Sequence, residues 1–361
     1  MGRLQVISGA LDKIAECKLP RELGFGKIIA PAFVECDYRE GKWGELKLVP
    51  YAPLQLGPEA KVFHYGQEIF EGLKGYFVDR KGPFLFRPDQ NAKRFNLSAL
   101  RLGMPEFPAS DFMESVMAMA YYCKEIIPTK SGESLYLRPC MIATEESLGI
   151  KPGLTYKYFV IASPSGPYFT GDSIKVYVER ERARACPGGI GAAKTGGNYA
   201  ASLVSGKRAQ ELGCGQTLWL DALHRCYIEE MSGMNFMSVI DGVIHTPAMT
   251  DTILDGITRK SIIQLAQEFG IRVREEKMDI NHLLELVAKG SCTEAFACGT
   301  AAIITPIRGF VEGNGTELAF KSAESKIAMK LRQELLDRQE GRKNAPLNWR
   351  VEVSTEVGST K

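Results

Sequence analysis

The sequence predicts a mixed α/β (α+β) fold in two domains, on three observations. Its 361 residues are more than one ordinary core requires. Near the middle, Ser163-Pro-Ser-Gly-Pro-Tyr-Phe-Thr-Gly-Asp172 sets two prolines and two glycines between two strand patterns. That places a first domain over 1–163, a linker over 164–172 and a second domain over 173–361. On both sides of it, runs with apolar period two alternate with runs at helical spacing.

Taken in order, residues 1–60 form a loose entry punctuated by Pro and Gly, with a short strand at Gly44-Glu-Leu-Lys-Leu-Val49. Val62 to Tyr76 is dense in aromatics and closed by glycines, and Tyr65, Phe70 and Tyr76 could pack in a core or wall an apolar pocket. Phe84-Leu-Phe86 reads as a strand and Asp89–Leu102 as a helix carrying Lys93, Arg94 and Arg101. Ser110-Asp111 then caps an amphipathic helix with Phe112, Val116, Met119 and Ile126 on its apolar side. Ser134–Thr144 and Tyr156–Ala162 are strands; in the first, Tyr136 and Arg138 share one face and Leu135 and Leu137 the other. An arginine held on a strand suggests a fixed anion or a structural carboxylate.

The second half opens with a strand, Ile174-Lys-Val-Tyr-Val178, followed by a lysine loop and a helix over Tyr199–Leu212 that Gly213 stops. Thr217-Leu-Trp-Leu220 and Cys226-Tyr-Ile228 read as strands around a turn, with Glu229-Glu230 where the second ends and Glu229 solvated. A loop from Thr250 feeds a helix over Thr258–Phe269, and Asn281–Lys289 is another. Ala295–Ile304 is a strand broken by Gly299. An amphipathic helix around Ser322–Asp337 and a polar tail close the chain.

Lys+Arg 45 against Asp+Glu 43 leaves almost no net charge, and no basic stripe stands out, so neither nucleic acid nor an anionic membrane is expected as a partner. The nine cysteines are scattered without a Cys-x-x-Cys, and the four histidines do not pair at ligand spacing. Neither a disulfide framework nor a metal site is expected, and a reducing cytoplasm fits. The first twenty residues do not have a signal-peptide pattern, Met1-Gly2 lacks Ser or Thr at position 6 for myristoylation, and no apolar run reaches membrane-spanning length.

The chemistry centres on Gly188-Gly-Ile-Gly-Ala-Ala-Lys-Thr-Gly-Gly-Asn198, where small residues flank Lys194. Such a lysine could be a solvated loop residue, a phosphate contact in a P-loop, or an amine held against a flat cofactor as a Schiff base. The P-loop pattern fails at Ala193, which replaces the glycine before the lysine. Cys186-Pro187 precedes the loop, and Gly196-Gly197 should delay the helix. Leu218-Trp-Leu-Asp221 could still pass for its metal-binding strand.

The set that decides is ordered along the chain: His64-Tyr-Gly-Gln-Glu-Ile-Phe-Glu-Gly-Leu-Lys74, Phe86-Arg-Pro with Arg94, Tyr136-Leu-Arg-Pro139, Gly166-Pro-Tyr-Phe169, Ala193-Lys-Thr-Gly-Gly-Asn-Tyr199, Glu230-Met-Ser-Gly-Met-Asn235, Asp255-Gly-Ile-Thr-Arg259 and Gly299-Thr-Ala301. Together these resemble the branched-chain amino acid aminotransferases, pyridoxal 5'-phosphate enzymes of fold type IV. The resemblance implies a small N-terminal α+β domain, a larger cofactor-binding domain with a β-barrel-like core, and a cytoplasmic homodimer. It implies ping-pong amino transfer between Leu, Ile or Val and 2-oxoglutarate, the products being branched-chain oxo acids and glutamate.

By that resemblance Lys194 carries the cofactor as a Schiff base and, once released, moves the proton. Glu230 pairs with the pyridine nitrogen and Tyr199 with the phenolic oxygen, while Arg94, Gly256, Ile257, Thr258 and Thr300 meet the phosphate. Tyr136, Arg138, Thr300 and Ala301 take carboxylates. Phe70, Tyr168 and Tyr65, the last from a second subunit, surround the branched side chain. Asp255 departs from the family's usual proline, and no Cys-x-x-Cys follows Ala301. D-amino acid aminotransferases and aminodeoxychorismate lyases share the lysine and glutamate but lack most of the first-half motifs.

Overall fold

The computed structural model of the chain describes residues 4–169, 171–322 and 324–353; Thr170 of the expected linker and the Met1-Gly2 pair lie outside them. Contacts divide the chain into two compact units. The first takes the described residues through Tyr168, together with Ala193–Gly196 and the described residues from Leu336; the second takes Phe169–Ala192 and Gly197–Leu335. The division falls at Tyr168, and the lysine segment and the described chain from Leu336 group with the first unit.

The first unit runs β1 (Gln5–Val6), α1 (Ala10–Ala15), β2 (Ala32–Arg39), β3 (Lys42–Trp43), β4 (Lys47–Pro50), α2 (Lys61–Tyr65), β5 (Glu68–Phe70), β6 (Leu73–Tyr76), β7 (Phe84–Phe86), α3 (Pro88–Arg101), α4 (Ala109–Tyr122), β8 (Ser134–Ala143) and β9 (Tyr156–Ser165). Its sheet has ten strands among the described residues, ordered β1-β4-β2-β9-β8-β6-β7 and then β19 (Arg350–Glu352), with β3 on β2 and β5 on β8. The β8–β9 pair is antiparallel from Ser134 opposite Ser165 to Ala143 opposite Tyr156, so β9 extends into the expected linker. Leu135, Leu137 and Met141 of β8 are buried. Helices α3 and α4 pack on this sheet through Phe95 and Phe112, which meet Tyr158, and Phe107 stacks on Tyr158 at 3.8 Å between centroids. The Tyr158 hydroxyl is satisfied by Ser115 at 2.8 Å, as a buried phenol requires.

Strand β19 pairs antiparallel with β7, and the Arg87 N–H donates to the Trp349 carbonyl at 2.8 Å. Glu340, fully buried, accepts the Gly132 N–H at 2.7 Å and the Ser131 hydroxyl at 3.0 Å.

The second unit runs β10 (Ile174–Glu179), most of α5 (Gly196–Ala200), α6 (Leu203–Glu211), β11 (Gln216–Leu220), β12 (Ile228–Met231), β13 (Asn235–Ile240), β14 (Val243–Pro247), α7 (Ile257–Glu268), β15 (Val273–Glu276), α8 (Ile280–Lys289), β16 (Cys292–Gly299), β17 (Ile303–Val311), β18 (Glu317–Ala319) and most of α9 (Lys326–Gln339). Its nine-stranded sheet is ordered β12-β11-β10-β17-β16-β13-β14-β15, with β18 on β17. Although β12 stands at one end of that order, the Met231 N–H donates to the Met234 carbonyl at 2.8 Å at the start of β13. The sheet therefore curls into a half-barrel, closed on a core of Leu218, Phe236, Phe310 and Leu283.

Several expectations need correction. The entry segment contains β2, an eight-residue central strand whose apolar and polar residues do not alternate cleanly. Ser110 and Asp111 lie within the first turn of α4; Pro108 is its N-cap, and Ser110 Oγ donates to Asp111 instead. The single helix expected over Tyr199–Leu212 is two, because the Ser202 hydroxyl and N–H both bond the Tyr199 carbonyl and end α5. Glu229 and Glu230 are inside β12 rather than beyond a strand end, and Glu229 is buried rather than solvated.

Truncating Phe112, 1% exposed, to Ala should cost about 3–5 kcal/mol of folding stability. The check is a denaturant midpoint that falls while the slope of the transition holds.

Candidate active site

In the first unit Lys194 is fixed through its backbone. Its carbonyl accepts the Phe70 N–H of β5 at 3.0 Å, and its own N–H donates to Ser98 Oγ of α3 at 2.8 Å. Two residues on, the Gly196 N–H donates to the Glu68 carboxylate, and a Cβ at Gly196 would collide with that oxygen. The half-buried ammonium lies 4.9 Å from the centre of the Phe70 ring. The same ring carries the Arg138 guanidinium at 4.7 Å. One aromatic ring thus serves two cations, each favoured by the ring quadrupole.

Arg138 also donates to the Tyr136 hydroxyl at 3.1 Å, and Phe25 packs edge-on against both Tyr136 and Tyr168 at 4.9 and 5.0 Å. The structure therefore groups Lys194, Phe70, Tyr136, Arg138 and Tyr168, and adds Phe25 and Glu68. Burial raises the Glu68 carboxyl above its usual range, against the Gly196 N–H, the Thr195 hydroxyl and the Arg138 charge. Tyr65 does not join this group. It ends α2, and its hydroxyl donates to the Leu148 carbonyl.

Arg94 projects from α3 into a bidentate pair with Glu71, Nε to Oε1 at 2.7 Å and a terminal nitrogen to Oε2 at 2.9 Å. Asn91, one turn earlier, also donates to Glu71, at 2.7 Å. Burial alone would raise the Glu71 carboxyl; the Arg94 charge and hydrogen bonds, with Lys194 and Asn91, hold it below the usual range. Glu71 is a positioning residue that the sequence reading missed. Nothing local marks it, since its role appears only once α3 is laid against β5 and β6.

In the second unit Glu230 is buried on β12 and paired with the Arg184 guanidinium at 2.7 Å. It also accepts the Asn235 side-chain amide at 3.0 Å and the Leu254 N–H at 3.3 Å. Asn235 bridges onward to the Leu254 carbonyl at 3.0 Å, and Gly256 sits so tightly on Asn235 that a Cβ would overlap its amide oxygen. Gly256 is the N-cap of α7, with no side-chain cap. The first-turn N–H groups of Ile257 and Thr258, both buried, thus lie at a helix start suited to an anion. Asp255, which departs from the proline usual in the resembled family, pairs with Lys260 at 2.8 Å.

Tyr199, on α5, flanks the Ser232–Met234 turn, with Cε1 4.0 Å from a Cβ placed on Gly233. Thr300 and Ala301 form the half-buried turn between β16 and β17.

The nucleotide-loop alternative is corrected in two ways. α5 starts at Gly196, so the glycines do not delay a helix. Yet the loop amides that would cradle phosphate are committed elsewhere: Gly188 to the Asp251 carboxylate, Gly189 to the Cys186 carbonyl, Ala192 to the Asp251 carbonyl, with Lys194 and Gly196 as above. Asp221, the would-be metal carboxylate, accepts the backbone N–H groups of Leu223, His224, Cys226 and Tyr227 and so ties its own turn.

The family model for amino-transferase class IV matches residues 68–310. The chain belongs to the class IV aminotransferases. This aminotransferase is 43% identical to branched-chain-amino-acid transaminase 1 of Bacillus subtilis, over 92% of the chain and 95% of that protein. It is 44% identical to a branched-chain-amino-acid aminotransferase of Mycobacterium tuberculosis, over 94% of each. Among solved structures, the branched-chain amino acid aminotransferase of Escherichia coli aligns with a TM-score of 0.74 at 28% identity, over 89% of this chain and all of that one. The T.th. branched-chain amino acid aminotransferase, solved with N-(5'-phosphopyridoxyl)-L-glutamate, aligns at 0.71 and 27% identity, over 88% and 98%. Both share the mixed α/β fold with its half-barrel sheet.

Replacing Arg184 by Leu should destabilise the aminotransferase by about 3–5 kcal/mol, because Glu230 would remain buried without its partner. Thermal unfolding checks this. The double change Arg184→Leu with Glu230→Gln should recover part of the loss, since it removes the stranded charge as well.

Proposed function

We propose that this aminotransferase moves amino groups between L-leucine, L-isoleucine or L-valine and 2-oxoglutarate, with pyridoxal 5'-phosphate held on Lys194, as a cytoplasmic homodimer. The observation that carries the reading is the fixed Lys194 main chain beside a ring it shares with Arg138. The amine is presented on a tied backbone, next to a cation suited to a carboxylate. The 43–44% identity to branched-chain aminotransferases supports the substrate class.

The residues fit the cofactor by their chemistry. The α7 N-terminus has unspent N–H groups and lacks a side-chain cap, and Gly256 leaves no bulk beside them. Glu230 supplies a carboxylate that Arg184 and Asn235 orient. When bound, pyridoxal phosphate supplies an electron-withdrawing ring that stabilises negative charge at the substrate α-carbon.

The chain's own groups do the rest. By the family resemblance, Arg94, oriented by Glu71, would meet the phosphate, as would Gly256, Ile257, Thr258 and Thr300. Glu230 keeps a proton on the pyridine nitrogen, and the Tyr199 hydroxyl meets the phenolic oxygen. Lys194 Nζ would accept the α-proton and return it. The Arg138 guanidinium and Tyr136 hydroxyl hold a carboxylate, with the Thr300-Ala301 turn for a second. Phe70 and Tyr168 exclude water around the apolar side chain, and Tyr65 does so for the partner's site.

Borohydride reduction followed by peptide mapping should leave a pyridoxyl group on Lys194; the same group on another lysine would overturn the assignment. Lys194→Ala should stay folded and lose more than about 10³-fold in turnover. With oxo-acid formation as the readout, L-leucine should be consumed with 2-oxoglutarate, and turnover of D-alanine alone would reverse the substrate class.

A further inference from the structure

Two glutamates stand side by side on β12, and both are buried. Their surroundings differ. Glu230 faces a guanidinium, a side-chain amide and a backbone N–H. Glu229 is bonded on one oxygen only, by the Thr252 hydroxyl at 2.5 Å, while its Oε2 is buried with no hydrogen-bond partner among the described residues. The two carboxylates are nonetheless linked. The Arg184 nitrogen that meets Glu230 also donates to the Thr252 carbonyl, and Arg184 Nε is buried without a partner among the described residues.

An acid buried with a single hydroxyl donor is costly, and a core filler of the same shape would avoid that cost. We propose that Glu229 is a positioning residue that acts on Glu230 through Thr252 and Arg184, and that its ionisation adds a second negative charge behind Glu230. The role of that charge rests on the function proposed above.

Burial is the main cause that pushes the Glu229 carboxyl up to about 6; Asp221 at the end of β11 and Asp251 after β14 push the same way, while the Thr252 hydroxyl and the Arg184 charge pull it down. With Glu229 neutral, Arg184 and Glu230 cancel and the cluster is uncharged. With Glu229 ionised, the cluster carries one net negative charge, and Arg184 is shared between two carboxylates. A negative cluster favours a proton on a base in contact with Glu230, which under the proposed function is the pyridine nitrogen. The aminotransferase should then work best above the Glu229 titration and weaken below it.

Glu229→Gln keeps the shape and the oxygen that accepts from Thr252 but removes the titration. The sign follows from linkage: a carboxyl raised in the folded state contributes stability that is complete below 4.5, its ordinary value, and lost as pH rises through about 6. In the protein stripped of cofactor, the melting temperature of the wild type should therefore fall relative to E229Q between pH 5 and 8. In the loaded protein, the absorbance of the bound cofactor should titrate with an inflection near 6 in the wild type that E229Q lacks. Thr252→Val, which removes the hydroxyl donor, should move the inflection to higher pH, and this serves if E229Q folds poorly.

Parallel melting curves with an unchanged absorbance titration would overturn the proposal, as would an inflection that T252V leaves in place. Diverging melting curves in a protein that takes up no pyridoxal phosphate would instead overturn the cofactor reading, and with it the role of the second charge.

Discussion

The arrangement depends on how the chain around one lysine is held. Lys194 is long and flexible, and an amine on a mobile loop would spend little time in any one place. Here the peptide units on both sides of it are hydrogen-bonded, to Phe70 in β5 and to Ser98 on α3, and the next glycine is tied to Glu68. The ammonium lies 4.9 Å from the centre of the Phe70 ring. Under the proposed function, the Lys194 nitrogen gains effective concentration from the ordering of backbone atoms, before any ligand arrives. Glycine and alanine are required because the neighbours approach so closely: a Cβ at Gly191 would lie 2.6 Å from the Thr252 Cα.

A second constraint is electrical. Each unit buries acids, and the pairing differs with the task. Glu71 is matched to Arg94 by a two-point bond that fixes the guanidinium plane. Glu230 is matched to Arg184 at 2.7 Å. Glu68 and Glu229 lack a close cationic contact of that kind among the described residues, and burial raises both. The same side chain therefore serves as an orienting anchor, a fixed charge or a titrating group according to what faces it.

Much of the candidate site was legible in the sequence because its residues sit in contiguous motifs. Lys194 in its glycine loop, Tyr136 and Arg138 at period two, and the α7 start at Gly256 each announce themselves locally. The residues missed all work across the chain. Arg184 matters only because β12 brings Glu230 to it, Phe25 only because its segment returns to Tyr136, and Glu71 only because α3 crosses it. Glu229 was misread because a strand end beside a turn is usually wet. The curled sheet instead covers it. The same limit affected the fold. Helices with clear stops at Gly213 and Gly290 were found, whereas β2 and β13–β15 are held by neighbours distant in sequence and lack clean alternation.

The return of the chain to β7 has a consequence during synthesis. Strand β19 completes a sheet whose other nine strands lie before residue 166, and Glu340 satisfies amide and hydroxyl groups at Ser131 and Gly132. While the ribosome is still translating the second unit, the first has an unfinished edge at β7 and a stretch near Ser131 without its acceptor. Open edges of that kind attract other strands. The strands described in the second unit end at Ala319, and α9 follows them closely, its Ile327 and Ala328 N–H groups donating to the buried Glu294 carboxylate of β16. The earlier half is therefore the part that chaperones must shield until its last strand emerges.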